Sequence, residues 1–288
     1  MRPFHYISLG VAALLVAVLF FAVPTVPPVA AGQEGKGAPH AGAGMTGTDG
    51  PVAAASTAEV LQTARKAVGE HALTEIKTVE DSLAQATTDS VRMIPGFARL
   101  AKLWASHRQG SVAGHYLALE AGLEKSPEKL TFAGRFFLSL VANQPDDAPA
   151  VRMWNAEQAV ALFQKAADLA PSDSATIDLA SAYIEGTGET MQGVQLLLGV
   201  VRENPDNVPA LLLLGRLAVQ SGQWDKAIDR FEHVLAADPK NTEALYFAAE
   251  AYKEKGDRAK AVQYFERAKK AVNNPEFSRD VDAYLKTF

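Results

Sequence analysis

The chain contains no cysteine. That excludes a disulfide framework, thiol chemistry and a lipid-modified cysteine anchor. An excess of positive charge is also missing: 28 Lys and Arg stand against 33 Asp and Glu, for a formal net charge of −5. No basic stripe stands out, so nucleic-acid binding is not expected. The six histidines (His5, His40, His71, His107, His115, His233) form no His-Glu-x-x-His pair. His107 and His115 flank a turn and read as helix-surface residues rather than a metal pair. Asp146 and Asp147 lack the alternating oxygen ligands of a calcium loop. Ser111 and Ser139 have no nucleophile elbow around them. The glycines between residues 32 and 50 lack the Gly-Lys-Ser/Thr ending of a phosphate loop. No catalytic residue, metal site or cofactor is assigned, and the chain does not read as an enzyme.

One long apolar run is present. Phe4 to Val23, FHYISLGVAALLVAVLFFAV, has no acidic residue, lysine or arginine. Twenty helical residues span about 30 Å, enough for a bilayer core. Arg2 precedes the run, and the next cation is Lys36. This asymmetry places the N-terminus in the cytoplasm and the rest of the chain outside it. Residues 1–23 therefore read as a short N-terminus and an uncleaved signal anchor. A signal peptide cut near Ala30 or Ala31 is the alternative. Residues 24–56 are dominated by Gly, Ala and Pro, contain no aromatic residue, and read as a flexible tether.

The rest of the chain repeats. SGQWDKAIDRFEHVLAADPKN, from Ser221 to Asn241, returns 34 residues later as KGDRAKAVQYFERAKKAVNNP. The shift carries Gly222 to Gly256, Ala227 to Ala261 and Phe231 to Phe265, while Pro171, Pro205 and Pro239 also stand 34 apart. Apolar residues at spacings of three and four predict helices on both sides of each glycine. The glycines suit helix–helix turns, and Asn204-Pro205 and Asp238-Pro239 suit helix ends. The predicted core is Leu211, Leu214, Ala227, Phe231, Leu235, Leu245, Ala248, Phe265 and Ala268.

These residues resemble the tetratricopeptide repeat, a 34-residue helix-turn-helix unit. The units fall at 174–207, 208–241 and 242–275. Repeat position 4 is Ile177, Leu211 and Leu245, and position 8 is Ser181, Gly215 and Ala249. Position 20 is Gly193, Ala227 and Ala261, and position 24 is Leu197, Phe231 and Phe265. The resemblance implies an all-α, right-handed solenoid of stacked antiparallel helix pairs. Together with the N-terminal run, the plan resembles single-pass, membrane-anchored repeat proteins of Bacteroidetes-type bacteria.

Before the repeats, Thr57 to Thr87 reads as one long helix within a segment 57–94, with Val60, Ala64, Ala67, His71, Leu73, Ile76, Val79 and Leu83 along one side. It is expected to pack on the solenoid, with pairing to a second copy as the alternative. Pro95-Gly96 is expected to break the chain. Residues 95–173 read as degenerate repeat-like pairs. Leu100, Leu103, Trp104, Tyr116, Leu119 and Leu123 face inward in the first pair, which Pro127 ends. The next pair is expected as Phe132–Ala142 and Ala156–Ala170, split by a loop insertion over 143–155, with Met153 and Trp154 covering the preceding helices. Residues 276–288 read as a capping helix.

The resemblance also implies a binding groove lined by the first helix of each pair. Its positions here are Asp178, Leu212, Arg216, Val219, Gln220, Tyr246, Glu250 and Lys253, with Ala182, Glu185, Glu243 and Glu254 beside them. Asp178, Leu212 and Tyr246 occupy the place of the lysine or asparagine that clamps a peptide carboxylate in one branch of the family, so that clamp is not expected. The mixed apolar and acidic lining suits a helix or extended peptide of some basic character. The expected function is a protein–protein interaction scaffold tethered to the bacterial inner membrane, with the repeats in the periplasm. A periplasmic assembly factor of the cytochrome c biogenesis type, or a self-associating structural protein, are the alternatives.

Overall fold

The computed structural model describes residues 52–86, 89–143 and 148–287. The apolar run at 4–23 and the tether up to residue 51 lie outside the described residues. Among the described residues there are thirteen α-helices and no strand. No described helix is long and apolar enough to cross a membrane.

The regular part runs from α7 to α13. It comprises α7 (Asp173–Ser181), which continues as a π-helical turn over Ala182–Thr187, α8 (Thr190–Glu203), α9 (Val208–Gln220), α10 (Trp224–Ala237), α11 (Thr242–Glu254), α12 (Arg258–Val272) and α13 (Pro275–Tyr284). Thr190, Trp224 and Arg258 open the second helices at intervals of 34 residues. Gly188, Gly222 and Gly256 close the first helices with φ of 77°, 68° and 81°, a backbone region where a Cβ is disfavoured. Asn207 and Asn241 cap α9 and α11, each side chain accepting from the backbone N–H three residues on, at 3.1 and 3.0 Å. All nine residues of the predicted core are buried.

The small and large positions of each unit meet. A Cβ on Gly215 would stand 2.6 Å from the Phe231 ring, so glycine lets that ring lie on the α9 backbone. In the first unit the second helix makes the close approach: a Cβ on Gly193 would stand 2.6 Å from the Ala180 carbonyl oxygen. The π-helical turn follows directly, and a wider helix there leaves room only for glycine. At the same repeat position Ala227 and Ala261 fit, fully buried.

The same packing extends one unit further than the sequence spacing shows. Helices α5 (Pro127–Asn143) and α6 (Pro149–Leu169) form the pair before α7. A Cβ on Gly134 would stand 2.9 Å from the Phe163 ring, repeating the Gly215–Phe231 contact. Gly134 and Phe163 are 29 residues apart, whereas Gly215 and Phe231 are 16 apart. Leu130, Gly134, Ala159, Phe163 and Pro171 thus take repeat positions 4, 8, 20, 24 and 32 once 13 residues are set aside. Those residues lengthen the pair: α5 and α6 have 17 and 21 residues, against 13 and 14 in α9 and α10.

This corrects the expected loop over 143–155. Pro149 sits in the first turn of α6, where its missing N–H costs nothing, and the helix already runs through Met153, Trp154 and Asn155. Trp154 is 3% exposed and lies edge-on to Phe137 at 5.6 Å between ring centres. Its indole N–H donates to the Thr57 hydroxyl at 3.3 Å, and the Ala55 N–H donates to the Ala150 carbonyl at 2.9 Å. The insertion therefore holds the segment that enters the first helix.

Four earlier helices complete the stack: α1 (Thr57–Ala67), α2 (Glu70–Gln85), α3 (Ser90–Ser106) and α4 (Gly110–Glu124). The expected single helix over 57–87 is two. The break falls at Val68-Gly69, and Gly69 is the N-cap of α2. The break lets α1 lie on α4 while α2 lies on α3. Arg65 of α1 and Glu80 of α2 pair at 2.8 Å across it. Val60, Ala64, Ile76 and Val79 enter the chain's own core, and His71 faces solvent. Pro95-Gly96 does not break the chain but lies within α3. Gly96 is a packing position, since a Cβ there would stand 2.5 Å from Leu83. Lys125, with φ of 51°, ends α4, and Pro127 begins α5 rather than ending a pair. Leu119 and Leu123, expected inward, are among the exposed apolar residues, while Leu100, Trp104 and Tyr116 are buried.

Candidate protein-binding face

The first helices α5, α7, α9 and α11 each present repeat position 9 toward the neighbouring first helix. These positions are Arg135, Ala182, Arg216 and Glu250. Arg135 grips Asp178 of α7 with both the Nε and Nη2 hydrogens, the shortest contact being 2.8 Å. Arg216 of α9 donates to Glu243 of α11 at 3.1 Å. Glu250 of α11 accepts from the Tyr284 hydroxyl of α13 at 3.1 Å. At Ala182, fully buried, the rung is apolar. The Arg135 and Arg216 pairs are partly solvated and each contributes no more than about 1 kcal/mol. The larger effect of the Arg135 pair is geometric, because a two-pronged arginine contact fixes the spacing of adjacent helices, whereas Arg216 makes a single bond.

The residues expected to line the groove divide in two. Leu212 and Val219 are half-buried and packed against the core of α9–α12, and Gln220 is exposed. With Arg216 they form an accessible stretch. Tyr246, Glu250 and Lys253 belong instead to a contact with the chain's own capping helix. Tyr246 packs edge-on against Phe265 at 5.6 Å, and burial pushes its hydroxyl pKa up. Burial also raises the Glu250 carboxyl above its ordinary value. Lys253 donates to the Tyr284 hydroxyl and pairs with Glu254 at 3.4 Å. Asp178 is engaged by Arg135.

The residue that sequence reasoning missed is Phe132. It is 61% exposed and shares one stripe of α5 with Glu128, Arg135 and Ser139, at steps of four, three and four. An exposed phenylalanine beside a fixed arginine–carboxylate pair is a ready anchor for an apolar side chain. The signal for it was the interrupted repeat: alignment of Gly134 with Gly215 brings Arg135 to the position of Arg216.

No group of three metal-ligating side chains occurs among the described residues. His115, read from sequence as a surface residue, is half-buried against Tyr116 and Trp154, with ring centres 5.3 and 6.4 Å away. Burial holds its pKa below the ordinary value. Tyr116 is pushed up to about 12 by burial and by the adjacent Glu80 carboxylate.

Residues 218–279 match the tetratricopeptide repeat family. A stretch of 93 residues is 33% identical to the probable UDP-N-acetylglucosamine–peptide N-acetylglucosaminyltransferase SEC of Arabidopsis thaliana, covering 32% of this chain and 9% of that protein. A stretch of 54 residues is 46% identical to cellulose synthase operon protein C of Escherichia coli, covering 19% of this chain and 5% of that protein. The chain thus spans less than a tenth of the length of these relatives. Among solved structures, MamA is similar at 20% identity and a TM-score of 0.46, over 62% of this chain and 91% of that one. YrrB, described as a TPR protein with an unusual peptide-binding site, is similar at 17% identity and a TM-score of 0.45, over 71% and 97%. The repeat assignment is supported by the family match.

Proposed function

We propose that this chain is a protein-interaction scaffold whose first-helix face, from α5 to α11, takes a peptide or helix of another protein. The observation that carries this reading is Phe132, a large aromatic side chain left open to water on that face. A large aromatic side chain exposed on a rigid helix beside a fixed arginine–carboxylate pair is the type of residue that anchors a partner. Leu212 and Val219 continue the apolar contact, while Glu128 and Glu185 leave the rim acidic. A partner with an apolar anchor and basic flanks complements such a lining. The rungs between first helices hold the face ready before binding, which limits the ordering entropy that association costs.

In this reading residues 4–23 anchor the chain in a bacterial inner membrane, with the repeats on the periplasmic side. The apolar length of that run and the lack of cations until Lys36 support it. So does the resemblance of the whole plan to membrane-anchored repeat proteins. With residues 52–56 held on the first helix and α6, a tether over 24–51 would give a reach of about 30 Å root-mean-square, and the anchor would concentrate the face near the bilayer.

The test is capture of partners from native membranes by the full-length chain after crosslinking. Phe132→Glu combined with Arg216→Ala is expected to reduce the main captured protein at least about tenfold, with the circular dichroism spectrum unchanged. Undiminished capture by a folded double variant overturns the face. Deletion of residues 4–23 is expected to move the chain into the soluble fraction, and persistent membrane association contradicts the anchor.

A further inference from the structure

The second helices of the regular units allow an internal comparison at repeat positions 18, 22, 25, 26 and 29, which all face outward. On α10 these positions carry Asp225, Asp229, Glu232 and His233, closing with Ala236. On α12 they carry Gln263, Glu266, Arg267 and Lys270, opening with Ala259. Charged and polar side chains are what a solvated helix face requires. On α8 the same positions are Met191, Gln195, Leu198, Gly199 and Arg202. Met191 is 69% exposed and Leu198 40%. A Cβ on Gly199 would meet nothing within 4 Å, so no neighbour in the chain requires glycine there. Glycine inside an exposed helix costs about 1 kcal/mol relative to alanine. An uncompensated glycine beside exposed methionine and leucine marks a surface that something outside the chain approaches closely.

We propose that the outer face of α8 binds the outer face of α8 in a second copy of this chain, antiparallel about a two-fold axis through Gln195. The face is self-complementary in that arrangement. Met191 and Leu198 lie on one side of the line through Gln195, about 6 and 4.5 Å from it in opposite directions along the helix, and Gln192 and Gly199 lie in the same way on the other side. A two-fold axis lying across the helices at Gln195 reverses position along the helix and keeps the side, so Met191 of each copy meets Leu198 of the other, and Gln192 of each enters the notch at Gly199 of the other. The two Gln195 amides meet on the axis, where each both donates and accepts. The cleft of about 310 Å³ floored by Leu179, Tyr183 and Leu196 opens beside Gln192 and Gln195, along one edge of the contact. Arg202 of each copy reaches the end of α8 that carries Glu189. Neither Arg202 nor Glu189 forms an ion pair among the described residues.

An interface that maps onto itself in this way is isologous and closes as a dimer. One helix against one helix is a small contact, so the association is weak in solution and gains from the concentration that membrane tethering provides. The face lies on the second helices, and it stands or falls independently of the first-helix face and its partner.

The chain has no cysteine, so a single introduced thiol reports on this contact in the full-length protein in its own membrane. Gln195→Cys is expected to give a disulfide-linked dimer on mild oxidation. The yield should be at least about tenfold above Asp229→Cys and Gln263→Cys, which occupy the same repeat position on α10 and α12. Adding Leu198→Glu is expected to cut the yield at least about tenfold. Gly199→Gln, which fills the notch without touching the core, should do the same. Arg202→Glu should lower the yield, and the further change Glu189→Arg should restore it. Equal dimer yields at the three thiol positions, or a dimer indifferent to both Leu198→Glu and Gly199→Gln, overturns the proposal. So does a Gln195→Cys product linked mainly to a different protein.

Discussion

Helices α9 to α12 and helices α5 to α6 are built on the same contact, yet only the first set announces it. Gly215 under Phe231 and Gly134 under Phe163 are the same small-and-large pair. In the later units the pair keeps its spacing, and in the earlier one 13 residues intervene. The comparison teaches that in a stacked-pair fold the conserved quantity is the lateral contact between helices, not the sequence interval. Each pair touches only its neighbours, so one pair can lengthen without disturbing the register of the stack.

The sharpest way to break this comparison is to remove both rings. Phe163→Ala and Phe231→Ala are each expected to cost about 3–5 kcal/mol, because both rings are fully buried. Equilibrium denaturant unfolding measures this. A loss below about 1 kcal/mol for Phe163→Ala alone would show that the lengthened pair does not share the packing of the regular ones.

A smaller effect separates two glycines of one helix. Gly193→Ala drives a methyl group into the Ala180 carbonyl and is expected to destabilise by about 1–3 kcal/mol. Gly199→Ala, on the opposite face of α8, is expected to stabilise by up to about 1 kcal/mol. Thermal unfolding of the two variants should therefore shift in opposite directions.

The turns give a comparison of similar kind. Gly222→Ala and Gly256→Ala place a Cβ at positive φ and are expected to cost about 1–2 kcal/mol. Lys125→Gly and Asn273→Gly relieve residues already at φ of 51° and 49°, and each is expected to gain a few tenths to about 1 kcal/mol.

The smallest expected effects concern pH, and they have opposite signs in the two regions. Burial depresses His115, so its contribution to stability is present above its ordinary value of 6.5 and is lost as pH falls through the depressed value. Burial raises Glu250, so its contribution is present below 4.5 and is lost as pH rises through the raised value. His115→Gln should flatten the stability profile below pH 6.5, and Glu250→Gln should flatten it above pH 4.5. Unfolding midpoints measured across pH 4 to 8 for each variant check both slopes.

Where spacing was strict, the fold was legible. Gly222, Ala227 and Phe231 recur with period 34, and their turn, close approach and core roles are the ones the structure shows. Elsewhere composition misled. Asp-Asp-Ala-Pro reads as loop, but Pro149 is a helix-opening proline and the face from Trp154 to Phe163 continues behind it. Gly69 breaks the helix without a sequence signal, because apolar residues continue on both sides of it. Pro95-Gly96 reads as a break because nothing local reveals Leu83 lying over Gly96. At the binding face the repeat positions located the first-helix surface. They did not reveal that Tyr246, Glu250 and Lys253 meet Tyr284, which depends on how α13 folds back. Phe132 was invisible until the interrupted unit was aligned on its glycine.

The most direct test of the binding face is site-specific photocrosslinking in the native membrane. A photoreactive side chain is placed at Phe132 on the first-helix face and, in a separate chain, at Asp229 on a second helix. The expected result is a discrete protein adduct from position 132 that position 229 does not give. Adducts of the same protein from position 229 alone, or in equal yield from both, would contradict the assignment of the first-helix face as the surface on which this protein meets its partner.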